Sequence, residues 1–242
     1  MEQTEQKLGV IGGMGPLATS FFFNRVISNT EAKRDQDHLN LVILNHATLP
    51  DRTEAIISGH YESLLSLLIA DAETLERLGV SYIAIPCNTS HYFYKQIQAR
   101  IKIPIINMVK ESVSAAILNK TGVKKIGILA TAGTRQTKLY ENECQRQGLE
   151  VVYPTEADQQ AINDIIYREV KSGRPGNFEV FKQVVANLEK QGCEVVLLAC
   201  TELSYFREYH KLPTSCLDTL EVLARRAVEL GGKNLKNEAD CS

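Results

Sequence analysis

Gly79-Val-Ser-Tyr-Ile-Ala-Ile-Pro-Cys87-Asn-Thr89 and Gly192-Cys-Glu-Val-Val-Leu-Leu-Ala-Cys200-Thr-Glu202 follow one plan. Each opens with a glycine, continues as an apolar run and sets a cysteine eight positions after the glycine, with polar side chains directly behind it. An apolar run of this length, closed by small polar residues, predicts a buried strand that ends in a loop or a helix start. Ligands of open α/β sheets bind at the carboxyl ends of strands, so the pattern sends both thiols to places where chemistry occurs.

The same alternation runs outward from these segments. Lys7–Gly12, Leu39–Asn45 and Tyr82–Pro86 read as strands, with helices predicted over Pro16–Thr30, Glu62–Leu78 and Ser90–Arg100. Leu64, Leu65, Leu68, Ala72, Leu75 and Leu78 share one face of the second helix, and Gly79 falls where a left-handed C-cap belongs. Further on, Lys125–Ala130, Leu149–Tyr153 and Val195–Ala199 read as strands. Thr134–Gln147, Ala157–Lys171 and Phe178–Gln191 read as helices. Strands alternating with helices call for parallel sheets flanked by helices.

The two halves also repeat each other. Lys7-Leu-Gly-Val-Ile-Gly12 parallels Lys125-Ile-Gly-Ile-Leu-Ala130, and Ile103-Pro-Ile-Ile-Asn107 loosely parallels Leu212-Pro-Thr-Ser-Cys216. The offset is 118 positions between Gly9 and Gly127 and 113 between Cys87 and Cys200, too constant for chance. The predicted fold class is therefore α/β with two pseudo-symmetric lobes. The first takes residues 1–108 plus 217–242, a final helix over Leu217–Leu230 packing back on it, and the second takes residues 109–216.

Composition narrows the function classes. The 242 residues are 44% hydrophobic and 23% charged, as in ordinary soluble globular proteins. A formal net charge of -2 gives no reason to expect nucleic acid or an anionic membrane as partner. The opening Met1-Glu-Gln-Thr-Glu-Gln-Lys7 is too polar for a signal peptide, and the longest apolar stretch, Leu64–Ala70, is far short of a membrane span. Cysteines at 87, 144, 193, 200, 216 and 241 show neither C-x-x-C nor zinc-finger spacing, so reduced cytoplasmic thiols and no metal are expected.

Several motifs carry chemistry. Gly12-Gly-Met-Gly-Pro-Leu-Ala-Thr19 contains a G-x-G-x-x-A pattern, but a dinucleotide site needs an acidic residue closing the second strand, where this chain has Asn45-His46. The loop suits another anion, a substrate carboxylate, with Pro16 in the first turn of a helix whose positive end faces it. Cys87 and Cys200 stand as reactive thiols, lowered in pKa by helix starts and hydrogen-bonded by Asn88, Thr89 or Thr201. The other four cysteines read as packing. Arg52, in Leu49-Pro-Asp-Arg52-Thr-Glu, follows the second strand and has the fork geometry that suits a carboxylate. Lys171 closes a helix, where lysine is favoured in any case. His91, four residues after Cys87, reads as a satisfied histidine rather than half of a Cys–His pair, and Glu202 either tunes Cys200 or caps a turn.

Gly12–Thr19, Leu49–Thr53, Pro86–Thr89 and Ala199-Cys-Thr-Glu-Leu203, in this order and spacing, resemble the aspartate/glutamate racemase family, most closely its aspartate racemase branch. The resemblance spans nearly the whole chain. It implies a racemase that needs no pyridoxal phosphate or other cofactor, with an acidic amino acid in the cleft between the lobes and a homodimeric assembly. It implies Cys87 and Cys200 as the acid/base pair, Cys87 taking the proton from the D-isomer and Cys200 from the L-isomer. Met14, Asn88, Thr89 and Thr201 would hold the α-substituents, and Arg52 and Lys171 the distal carboxylate. Glutamate racemases usually place a histidine after the second Cys-Thr; Glu202 in that position favours the aspartate type. Broad-specificity racemisation is the alternative, beside hydantoin racemisation, maleate isomerisation or malonate decarboxylation in the same fold. Outside this chemistry stand a non-catalytic amino-acid binder and a redox-active dithiol.

Overall fold

The computed structural model describes residues 6–236. Among these, seven strands form two all-parallel sheets. β1 (Lys7–Gly12), β2 (Asn40–Asn45) and β3 (Tyr82–Ala84) lie in the order β2-β1-β3. β4 (Lys125–Ala130), β5 (Glu150–Val152), β6 (Val195–Ala199) and β7 (Cys216–Asp218) lie in the order β5-β4-β6-β7. A parallel bridge from Ile83 to Ile105 puts Ile105 beside β3, as β7 lies beside β6. The two sheets thus repeat one strand order.

Side chains alternate across each sheet as the pleat requires. In the first sheet, Leu8, Val10, Tyr82 and Ala84 face a core shared with Phe22, Val26 and the helix Thr219–Leu230. Ile11, Ile83, Ile85 and Cys87 face the other core, with Leu64, Leu68, Ala72 and Leu75 of helix Glu62–Arg77. In the second sheet, Leu129, Val196, Leu198 and Cys200 share a core with Phe181, Val184, Val185 and Leu188 of helix Phe178–Lys190. Both cysteines therefore continue the alternation of their strands onto corresponding faces.

The repeated glycines have a steric reason. A Cβ on Gly9 would lie 2.8 Å from Val80 and 3.2 Å from Leu75; one on Gly127 would lie 3.0 Å from Leu188 and 3.4 Å from Cys193 Sγ. In each half, the helix before the cysteine-bearing strand presses a leucine against the central strand, and only glycine leaves room. This also fixes Cys193 as packing, the counterpart of Val80.

Residues 6–108 and 220–236 form one compact unit, and residues 109–219 the other. The helix Thr219–Leu230 supplies Leu220, Leu223, Ala224, Ala227 and Val228 to the first unit. There Tyr82 Oη donates to the Ala227 carbonyl at 2.7 Å, and Arg25 forks onto Glu221 at 2.5 and 2.9 Å.

Local structure departs from the sequence reading in several places. Helix Glu62–Arg77 stops before Leu78, which is 50% exposed rather than on the buried face, while Gly79 takes the expected left-handed conformation at φ 71°. The predicted strand to Pro86 ends at Ala84. In place of a helix over Ser90–Arg100 there is a 3₁₀ segment, Thr89–Phe93, followed by Tyr94–Gln98. The predicted helix Thr134–Gln147 is two, Ala132–Gln136 and Leu139–Arg146, broken where Lys138 has φ 52°. Helices Arg52–Ser58 and Met108–Asn119 are additions to the sequence reading.

Candidate functional site

Each unit builds its own constellation at the carboxyl edge of its sheet. In the first, β1 runs into the glycine loop and then into helix Pro16–Asn29, with Pro16 in the first turn and no side chain capping that end. Thr19 ties the loop down: its Oγ1 accepts from the Gly13 N–H at 2.8 Å and donates to the Gly15 carbonyl at 3.0 Å. Gly13 is thus committed internally, so an anion would be met by the backbone beyond it, at Met14 and Gly15. The Met14 side chain packs in the same core as Cys87, and Ser90 Oγ donates to its Sδ at 3.1 Å. Any contact of Met14 with a ligand would therefore run through its backbone.

Cys87 is 6% exposed, with Asn88 and Thr89 buried directly behind it. His91 does not form a pair with the thiol. Its Nδ1 lies 2.9 Å from the Cys87 carbonyl, and its Nε2 accepts from the Met108 N–H at 3.1 Å. With Nε2 an acceptor, the ring proton sits on Nδ1 and donates to Cys87. Burial lowers the His91 pKa, which keeps the ring neutral and suits a brace between the Cys87 turn and residue 108.

Arg52 opens helix Arg52–Ser58 behind Asp51, whose side chain accepts from the Glu54 N–H, and the helix packs against Thr89–Phe93. Arg52 Nη1 donates to the carbonyls of Pro50 at 3.0 Å and Leu49 at 3.4 Å. The guanidinium is held by its own loop, close in the fold to the segment after Cys87.

In the second unit the thiol sits in a charged setting. Cys200, 5% exposed, donates from Sγ to Glu202 Oε2 at 2.9 Å; Thr201 Oγ1 reaches the same oxygen at 3.4 Å. Lys171 Nζ lies 3.9 Å from Glu202 Oε1 and 4.7 Å from the Tyr167 ring centroid. Lys171 does not close an α-helix. Helix Glu156–Asn163 passes into a π turn, Asp164–Glu169, and then a 3₁₀ turn, Val170–Ser172. Such insertions recur at functional sites; this one ends with Lys171 at Glu202. Tyr167 and Ser90 are site neighbours that sequence reasoning did not single out.

The expectation that helix starts lower both thiol pKa values fails at Cys200. A turn and the 3₁₀ segment Leu203–Tyr205 come after it, not an α-helix. Burial first, then the Glu202 charge and hydrogen bond, raise the Cys200 pKa well above the ordinary thiol value, against weaker lowering by Lys171. The packing cysteines also stay protonated: burial pushes Cys193 up to about 11, and Cys144 and Cys216 up to about 12. Cys241 lies outside the described residues. Among those residues, no group of three or more His, Cys, Asp or Glu is placed to hold a metal, and no helix is long and apolar enough to cross a membrane.

The chain as a whole is similar to known proteins. A family model described as Asp/Glu/hydantoin racemase matches residues 11–227, across both units. The chain belongs to this racemase family. The broad-specificity amino-acid racemase RacX of Bacillus subtilis (strain 168) is 27% identical over 225 residues, covering 91% of this chain and 96% of that protein. An aspartate racemase structure from Picrophilus torridus aligns at TM-score 0.81 with 30% identity, over 97% of this chain and 98% of that one. A structure described as an aspartate racemase homologue from Pyrococcus horikoshii OT3 aligns at TM-score 0.76 with 26% identity, over 94% and 100%. Family membership makes the chain an isomerase by class, and its two parallel sheets flanked by helices match those of its racemase neighbours.

Proposed function

We propose that the protein interconverts L- and D-aspartate, with glutamate as the other acidic candidate, by proton transfer between two thiols without pyridoxal phosphate. The observation that carries this reading is the Cys200 thiol, held by Glu202 just past a strand whose counterpart in the other sheet is followed by Cys87. Racemisation removes the Cα proton from one face and returns a proton to the other. One sulfur must accept as thiolate while the other donates as thiol, and their states exchange with each turnover.

The electrostatics of Cys200 suit the donor half. Glu202 keeps the proton on Sγ, ready for delivery to a carbanion formed when Cys87 takes the proton from the D-isomer. Cys87 then holds the proton and Cys200 is the thiolate that serves the L-isomer. Without an electron sink, the carbanion depends on preorganised hydrogen bonds and exclusion of water. Asn88, Thr89 and Thr201, all buried beside a thiol, suit that task. Arg52 and Lys171 are the cations for a distal carboxylate, and Lys171 would exchange its ion pair with Glu202 for one with substrate.

Broad specificity is the second reading, favoured by the similarity to RacX and by an Arg52 that rests on backbone carbonyls. A chiral assay of the purified protein on L-aspartate, L-glutamate and several neutral amino acids, without added pyridoxal phosphate, separates the two. Turnover of the acidic pair alone supports the first reading, turnover of neutral amino acids the second, and no turnover overturns both.

Glu202→Gln tests the thiol's setting. Removing the charge lowers the Cys200 pKa, so deprotonation comes at lower pH. The limb of the L-to-D pH profile that rises as Cys200 loses its proton should therefore move to lower pH. An unchanged profile would show that Glu202 does not govern the thiol.

A further inference from the structure

Helix Glu156–Asn163 packs against β4, and Gln159, three residues before the core residue Ile162, is only 8% exposed. Its Nε2 donates to the Ala130 carbonyl at 2.9 Å and to Asn163 Oδ1 at 3.1 Å. Both partners are acceptors. Turning the amide over would set Oε1 against the Ala130 carbonyl, which can only accept, so its orientation is determined by that hydrogen bond. The consequence is a buried Oε1 with no hydrogen-bond partner among the described residues. Buried polar atoms are almost always paired, and an orphan among them needs a reason.

The location supplies one. Ala130 ends β4 and pairs with Ala199, which ends β6; Cys200 is the next residue. Leu129, Ile162 and Cys200 lie in one core cluster, so helix and thiol share a face of the sheet. The amide, held at the Ala130 carbonyl, therefore lies at the carboxyl edge of β4, one strand across from the strand that leads into Cys200.

An amide oxygen recognises donors and repels carboxylates. Of the groups on ionised aspartate or glutamate, only the ammonium donates. We infer that Gln159 Oε1 receives the α-ammonium of the substrate and is the residue through which the second unit distinguishes amino acids from amine-free acids. This rests on the racemase reading and extends it: maleate and malonate carry no N–H and would leave Oε1 unpaired, whereas an α-amino acid satisfies it.

The test compares each amino acid with its amine-free counterpart. Calorimetric titration of the full chain uses L-aspartate against succinate and L-alanine against propionate, in the unmutated protein and in Gln159→Met. The unmutated protein should prefer the amino acid of at least one pair by about tenfold or more. Gln159→Met should lose about tenfold for that amino acid and leave its amine-free partner within about twofold. Equal loss for both members, or no loss, would overturn the assignment and show that the oxygen meets only water. Should the variant fail to fold, the unmutated preference decides, since equal affinities within both pairs overturn the assignment. Racemisation by unmutated protein that lacks this preference removes the Gln159 role and leaves the racemase reading intact. Absence of both racemisation and binding removes the reading and the inference together.

Discussion

Cys87→Ser and Cys200→Ser should each cut racemisation by about 10²–10⁴-fold in both directions, the range expected when a positioned acid or base is lost. A hydroxyl in place of either sulfur is too weak an acid and base to complete the exchange, and one surviving thiol cannot serve both faces of a carbon. Serine at position 200 keeps a donor to Glu202, so the fold should survive and the loss will appear as rate rather than as unfolding. Cys193→Ser is the contrast. That sulfur packs near Gly127 and Leu188, so its replacement should leave the rate unchanged and cost about 1–3 kcal/mol of stability for an unpaired buried hydroxyl. Chiral turnover assays with thermal melts on the three variants distinguish these outcomes. Comparable activity in Cys87→Ser and the unmutated protein would contradict the two-thiol mechanism.

Gly13→Ala should be the most damaging change outside the thiols. Gly13 has φ 89°, and a Cβ there would lie 2.3 Å from the His46 carbonyl carbon. The backbone conformation alone costs about 1–2 kcal/mol for a residue with a side chain. Displacing a neighbouring backbone adds about 1–3 kcal/mol by analogy with overpacking. The expected loss is about 3 kcal/mol, a fall in melting temperature of roughly 6–12 °C for a chain of this size. Activity should fall further, because the shift breaks the Thr19 latch and moves Met14 and Gly15. Gly59→Ala sets the scale: its φ is 75°, but nothing lies within 4 Å of the added Cβ. It should lose only the conformational part, about 1–2 kcal/mol. Equal melting temperatures for the two variants would show that the close approach to His46 is not a constraint.

The sheets were legible because buried parallel strands are short apolar runs, and duplication supplied each half with a control in the other. Gly9 and Gly127, at matching places in both copies, marked the repeat, but the helix leucine that leaves room for nothing larger shows only in the fold. The irregular segments around the site were not legible. The π turn at Asp164–Glu169 leaves apolar spacing that still reads as one helix through Lys171, although the backbone has slipped. The break at Lys138 rests on a positive φ in a residue that seldom signals one. The polar residues behind each cysteine predicted helix starts, yet the segments that follow are 3₁₀, and at Cys200 burial and Glu202 rather than a helix start set the thiol's pKa. Electrostatics were the least legible part. Glu202 is adjacent to Thr201 in any reading, but only side-chain geometry shows that its carboxylate faces Sγ and raises the thiol's pKa. Gln159 carried a faint signal, a polar residue on the buried side of a helix; its orphaned oxygen could not be seen without its partners.

Racemisation of L-aspartate in heavy water, with chiral separation and mass spectrometry of both isomers at early times, addresses the two-thiol exchange most directly. D-aspartate formed under these conditions should carry one deuterium at Cα, delivered from a solvent-exchanged thiol, whereas unreacted L-aspartate should start without it. D-aspartate that retains the original proton at Cα would contradict proton exchange between two sulfurs.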